Sequence, residues 1–337
     1  MFLDGLLILV LSFLPMLVYA LVLWWLDRYE KEPWVLLAVA FVWGAVPSVI
    51  LALILQIVLD IPVMAISGSN QLTYDLLGAS VVAPLTEEAV KALALLALLL
   101  LLRREIDSPI DGVIYGGIVG FGFAAVENVF YLFGAYSESG IGGVFGLAFL
   151  RAGVFGLNHA MYTGFTGLGV ALALEVDRKL LKPVPVLVGF AVAVGVHALH
   201  NALATLSSYG GTAALFVAVA TDWLGVLILL LVAGITFWLE RRRIVAYGEK
   251  LVQEGVIQAG EIETLKSTFR RRVARLSALF SGDLRKWQSR RRYHQKVTEA
   301  AFAWHRAKNG DAWAQDRLKR LEDEAASLRH ELALEVS

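Results

Sequence analysis

The sequence predicts an all-α, polytopic membrane helix bundle of about seven spans followed by a helical C-terminal tail. Three observations carry that expectation. Hydrophobic residues make up 58% of the 337-residue chain and mean hydropathy is +0.65, more than a soluble fold uses. Several apolar runs exceed the 18 or so residues needed to cross a bilayer as a helix. The charge is divided unevenly: residues 1–239 hold 9 Lys+Arg against 16 Asp+Glu, and residues 240–337 hold 21 against 14. We therefore expect a membrane domain at 1–239 and a basic helical tail at 240–337.

Taken in order, seven runs bounded by charges or turn residues read as spans: 3–26, 34–59, 72–102, 110–134, 146–174, 184–206 and 212–238. At 1.5 Å rise per residue each reaches across a hydrocarbon core of roughly 30 Å. The first run lacks a basic leader and reads as an uncleaved span. Basic residues occupy alternate connections: Arg28 and Lys31, then Arg103 and Arg104, then Arg178, Lys179 and Lys182, and finally Arg241 to Arg243. Positive charge is retained on the cytoplasmic side, so the N-terminus is expected outside and the tail inside. Pro33 is placed to open the second helix. Gly116-x-x-x-Gly120 forms a small-residue face whose ordinary role is close helix packing.

In the tail, Leu251, Val252, Val256, Leu265, Phe269, Val273, Leu276, Leu279 and Phe280 recur at roughly helical spacing. Arg270 to Arg272 and Arg290 to Arg292 interleave with Trp287 and Tyr293. Fourteen acids are mixed in, which argues against nucleic acid and for an amphipathic region that contacts anionic lipid or a cytoplasmic partner. The chain has no cysteine, so thiolate ligands, thiol nucleophiles and disulfides are excluded.

The spans contain few ionisable residues, and those few are costly: each charge near the bilayer centre costs about 2.5–3.5 kcal/mol on insertion scales. Helix three carries Glu87, Glu88 and Lys91; helix four, Glu127 and Asn128; helix five, Arg151, Asn158 and His159; helix six, His197, His200 and Asn201. Two imidazoles with several carboxylates suit a hydrolytic metal site, with zinc the metal this donor set favours. Two carboxylates sharing a proton would serve without metal. Proton relay in a transporter or channel uses the same residue types, and a noncatalytic regulator acting through the tail is the third reading. Lys91 and Arg151 read as counter-ions. No His-Glu-x-x-His zinc helix is present; the nearest string, His330-Glu-Leu-Ala-Leu334, lacks the second His. Neither the serine motif of rhomboid-like proteases nor the Gly-x-Gly-Asp of presenilin-like proteases occurs.

Four motifs on consecutive spans, Glu87-Glu88-x-x-Lys91, Phe123-x-x-x-Glu127-Asn128, His159 and His197-x-x-x-Asn201, resemble those of the PrsW family of intramembrane proteases, distant relatives of the CAAX prenyl proteases. Asp27-Arg-Tyr-Glu-x-Glu-Pro33 resembles that family's early cytoplasmic loop, and the likeness covers about residues 20–206. The resemblance implies a peptidase of the bacterial plasma membrane acting on membrane-anchored proteins. It further implies Glu87 or Glu88 as the base, Glu127, His159 and His197 as metal ligands, and Asn201 as oxyanion donor. Glu127 lies about seven residues from the outer end of its span, which puts the chemistry in the extracytoplasmic half of the bilayer.

Overall fold

A computed structural model describes residues 2–26, 31–102, 106, 108–176, 178–308, 310 and 312–334. Arg28, Arg103, Arg104 and most of the charged loop before Pro33 lie outside the described residues. Among those described there are helices and no strand. Lipid offers the backbone no hydrogen-bond partner, so a spanning chain closes its bonds within helices. Among the described residues the contacts group into two compact units, one over 2–26 and 32–233 and the other over 234–334. The contact boundary between the units falls at Gly234, inside a helix.

The first unit is an all-α membrane helix bundle. It begins with α1 (Phe2–Leu26), α2 (Trp34–Trp43) and α3 (Val49–Ser67), continues through α4 (Gln71–Leu77) and α5 (Ala83–Leu101), and adds α6 (Pro109–Ala148), α7 (Asn158–Glu175), α8 (Pro183–Ser208) and α9 (Thr212–Gln253). Short π-helical turns join α2 to α3 (Gly44–Ser48) and α4 to α5 (Gly78–Val82), and a third follows α6 (Phe149–Val154). Such turns often re-aim side chains at functional sites. Here one precedes Glu87 by little more than a turn, and another carries Arg151. Among the described residues, five stretches can cross a membrane by length and composition alone: Phe2–Leu26, Trp34–Ser67, Pro109–Glu175, Lys179–Ser208 and Thr212–Gln253. Pro109–Glu175 takes in two of the seven expected spans. The α4–α5 stretch is absent from the five, and it bears Glu87, Glu88 and Lys91. Outward faces are apolar, as at Ile57, Ile61 and Leu100, as lipid contact requires.

Helix α6 starts at Pro109 behind a capping box in which the backbone N–H of Ser108 donates to Asp111 Oδ2 at 2.7 Å. It continues through the polar residues Ser137, Glu138 and Ser139 and breaks at Gly140, where φ is +63°, a conformation glycine adopts without steric cost. Three of its earlier glycines work by being small. A Cβ built at Gly112, Gly116 or Gly120 would stand 2.1, 2.4 or 2.2 Å from backbone carbonyls of Gly167, Thr163 or His159 on α7. The seam therefore lets α6 and α7 meet backbone to backbone, which fixes the depth at which α7 presents His159.

The second unit packs the C-terminal part of α9 with α10 (Ala259–Leu265), α11 (Thr268–Phe280), α12 (Leu284–Lys308) and α13 (Ala312–Leu334). Its core gathers Ile244, Tyr247, Leu251, Leu265, Tyr293, Val297 and Leu321. The Tyr247 hydroxyl and Lys250 Nζ both donate to Glu322 Oε1, at 3.0 and 3.1 Å. Of the periodic tail residues, Leu251 and Leu265 are buried, whereas Phe269, Val273, Leu276, Leu279 and Phe280 are exposed.

Candidate active site

Glu87, Glu88 and Lys91 occupy the second and third turns of α5, and successive helical residues point about 100° apart. The two glutamates consequently face different surroundings. Glu87 lines a cavity of about 350 Å³ together with Gln56, Glu127, Asn128, Arg151, Asn158, His159, Tyr162, His197, His200 and Asn201. Glu88 lies behind that wall with no exposed surface. It accepts from Lys91 Nζ at 2.8 Å and from the Thr163 hydroxyl at 2.9 Å, and its Oε1 is 3.1 Å from His197 Nδ1. A fully buried carboxylate is tolerable only when paired and hydrogen-bonded in this way.

Lys91, also without exposed surface, is the shared cation of the cluster. Its Nζ lies 3.4 Å from Glu87 Oε2 and 3.1 Å from His159 Nδ1, and 3.8 Å from the centroid of the Phe123 ring. The i, i+3 and i, i+4 spacing to the glutamates makes this a local consequence of helix formation. Gln56 on α3 donates to Glu87 Oε1 at 3.3 Å.

Helices α6 and α7 supply the facing wall. Glu127 Oε2 lies 2.9 Å from His159 Nε2 and accepts from Arg151 Nη2 at 2.5 Å, while Arg151 Nε donates to Asn128 Oδ1 at 2.7 Å. Among the described residues both polar contacts of Glu127 fall on Oε2. His197 on α8 stacks on Tyr162, with ring centroids 4.5 Å apart and an interplanar angle of 14°. Asn201, one turn beyond His197, donates one Nδ2 hydrogen to the Ala79 carbonyl at 2.8 Å. Asn201 lines the cavity, and its amide nitrogen has a second hydrogen to donate.

Among the described residues, one group could hold a metal. Glu87, His159 and His197 are buried, and one ligand atom from each lies within 4.8 Å of the others. A tetrahedral zinc site places its ligands roughly 3.3 Å apart, so a carboxylate and two imidazoles fit such an ion after a modest inward movement. Glu127 touches this group through His159.

The site extends beyond the four helices that the sequence singled out. Asp222 on α9 is buried, accepts from Asn158 Nδ2 at 2.9 Å and from the Tyr162 hydroxyl at 3.4 Å, and lies 2.7 Å from His200 Nδ1. Sequence reasoning passed over it. A carboxylate in mid-span is itself the signal that could have found it.

Residues 32–236, more than half of the chain, match the family described as PrsW family intramembrane metalloprotease. The chain belongs to the PrsW family. A curated relative, Protease PrsW of Clostridioides difficile (strain 630), is 37% identical over 107 residues, covering 32% of this chain and 42% of that protein. The match thus spans less than half of the relative's length. No solved structure matches. The PrsW match takes in every residue lining the cavity, and it ends at Thr236, before α10 to α13.

Proposed function

We propose that the chain is an intramembrane endopeptidase that hydrolyses peptide bonds of membrane-anchored proteins. The observation that carries this reading is the convergence of Glu87, His159 and His197, with Glu127 beside them, on one cavity inside a bundle of lipid-facing helices. The family description as a metalloprotease points the same way. Glu87, His159 and His197 would hold the ion, and zinc suits the donor set. When bound, such an ion polarises a carbonyl and makes water a nucleophile near neutral pH.

The remaining chemistry is assigned to the chain's own residues. Water attacks the scissile carbonyl carbon as its proton passes to Glu127 Oε1, and Arg151 holds that carboxylate in place through Oε2. The oxygen that gains negative charge accepts from the second Nδ2 hydrogen of Asn201. The carbon–nitrogen bond then breaks as the proton moves to the leaving amine, yielding a carboxylate and an amine. Lys91 and Glu88 keep His159 and His197 oriented from behind. This reading exchanges the roles expected from the sequence for Glu87 and Glu127, because Glu87 is the carboxylate grouped with both imidazoles.

A second, metal-free reading rests on Lys91, whose Nζ stands 3.4 Å from Glu87 and 3.1 Å from His159, where it supplies positive charge to two of the three donors. In that version Glu87 takes the water's proton.

The test uses the full chain in proteoliposomes with a solubilised membrane-protein extract, reading new N-termini by mass spectrometry and bound metal by elemental analysis. New termini near membrane segments are expected with the unaltered chain and not with Glu127→Gln or Glu87→Gln. Metal should be retained by Glu127→Gln and lost from Glu87→Gln, His159→Ala and His197→Ala. Unchanged cleavage by both glutamate variants would overturn the peptidase reading. Metal-independent cleavage that still needs Glu87 would establish the second version. The proposed setting is the bacterial plasma membrane with the N-terminus outside and the tail cytoplasmic, as the loop charges indicate; reporter fusions at either end test it.

A further inference from the structure

Helix α11, Thr268–Phe280, wears its apolar face outward. At 100° per residue, Phe269, Val273, Leu276 and Phe280 fall within an arc of about 60°. All four are exposed, Phe269 at 73% and Phe280 at 85%. The opposite side of the helix is the one that packs: Ala278 and Arg271 are buried, Arg271 Nη1 donates to the Thr298 hydroxyl of α12 at 2.9 Å, and Arg290 Nη1 of α12 donates to the Ala274 carbonyl at 2.7 Å. A helix whose large apolar residues needed only a protein core would be rotated by half a turn. This one is held by polar ties so that its aromatic residues point away from the core of its unit.

The charge around that face identifies what covers it. Residues 268–292 contain nine Lys+Arg and one acid, Asp283. On the helix wheel Arg272 flanks one edge of the apolar arc and Arg270 the other. Arg270 meets Glu263 at 3.4 Å in an exposed pair, an interaction weak enough for another anion to displace. A second copy would bring the same positive field and be repelled. An anionic lipid leaflet suits both the apolar arc and the positive charge beside it, with acyl chains below and phosphates at the level of the guanidinium groups.

We infer that α11 is a lipid-surface helix, bedding Phe269, Val273, Leu276 and Phe280 at the headgroup–acyl boundary of an anionic leaflet with Arg270 and Arg272 on lipid phosphates. The bilayer is the one that already holds the chain, so the contact is intramolecular in effect and favoured by high local concentration. It does not depend on the peptidase reading, since the PrsW match ends before α11.

The absence of cysteine allows a direct test on the full chain. Nitroxides are attached singly at Leu276→Cys and Phe280→Cys, with Asp316→Cys on α13 as an exposed reference. The chain is reconstituted into phosphatidylcholine vesicles with and without phosphatidylglycerol. In vesicles containing phosphatidylglycerol, the α11 labels should become accessible to oxygen and shielded from a water-soluble nickel chelate, while the reference stays in water. Each of Arg270→Gln and Arg272→Gln should shift the bound-to-free ratio about fivefold toward water, from roughly 1 kcal/mol per basic residue at such a surface. Water accessibility at 276 and 280 equal to that at 316 in both vesicle types would overturn the inference. So would dipolar broadening between α11 labels that grows with protein density, which would identify a second copy as the occupant.

Discussion

Replacing Gly120 by Ala tests whether the glycine seam sets the position of the site. An ideal Cβ there stands 2.2 Å from the His159 carbonyl oxygen and 2.5 Å from its carbon, whereas nonbonded heavy atoms rest at roughly 3.5 Å. Backbone cannot swing aside as a side chain can, so α6 and α7 must separate locally by about 1 Å. Overpacking of this kind costs about 1–3 kcal/mol, partly offset by about 1 kcal/mol of helix propensity gained on replacing Gly. The net loss of stability is therefore small, and the effect on function is larger. The displaced residue is His159 itself, and a misplacement near 1 Å can cost about a hundredfold in rate. Gly112→Ala meets the Gly167 carbonyl at 2.1 Å but does so two turns from His159. It should lower stability to a similar extent with much less effect on turnover. Gly134→Ala and Gly146→Ala enter open space and should leave turnover unchanged while raising stability by up to about 1 kcal/mol. The assay pairs cleavage rate in proteoliposomes with thermal unfolding in detergent for all four variants. Full activity in Gly120→Ala, or equal rate losses in Gly120→Ala and Gly112→Ala, would refute the proposed coupling of the seam to His159.

Lys91→Met leaves Glu88 buried without its cation and should destabilise the bundle by about 3–5 kcal/mol in denaturant titration. Adding Glu88→Gln should recover much of that loss, and a purely additive double variant would argue against the pairing at 2.8 Å. Asp222→Asn keeps the shape of the group held by His200, Asn158 and Tyr162 but removes its charge. We expect about a tenfold fall in turnover with bound metal unchanged, as for partners that orient site residues from behind, and loss of metal would instead tie Asp222 to the ion. In the tail, burial and then the neighbouring Arg271, Arg275 and Arg290 push His294 down to about 3. The folded unit therefore excludes a proton that the unfolded chain takes up near 6.5. Its stability should be fully present above pH 6.5 and fall toward pH 3 at up to about 1.4 kcal/mol per pH unit. His294→Leu should flatten that slope in pH-dependent unfolding, and an unchanged slope would assign it to other groups.

The helices were legible because the bilayer imposes both length and apolarity, but the stops were not. A run of apolar residues records where lipid lies, whereas a helix ends where its backbone geometry changes. Helix α6 accordingly passes through Ser137 to Ser139 and breaks at Gly140, inside the stretch 135–145 that hydropathy assigns to a connection. The expected span 34–59 likewise continues to Ser67. The Gly116-x-x-x-Gly120 pattern predicts ordinary helix packing, and the contacts with Thr163 and His159 make that role specific: they set the depth of a site residue.

The site's residues were visible for an energetic reason and their roles were hidden for a geometric one. An ionisable side chain in mid-span carries a cost that sequence alone reveals. Which of two adjacent glutamates meets water depends on how α5 is rotated about its axis, and that rotation is fixed by Thr163, His197 and Lys91 closing around Glu88. Asp222 carried the same energetic flag and was overlooked because it stands outside the four motifs. The tail shows the converse limit. Helical spacing is identical whether an apolar stripe faces a core or a lipid surface, so periodicity detects α11 and is blind to its direction. Direction follows from what holds the other face, here the bonds from Arg271 to Thr298 and from Arg290 to Ala274. These bonds bind α11 to α12 by its polar side and leave Phe269 and Phe280 exposed.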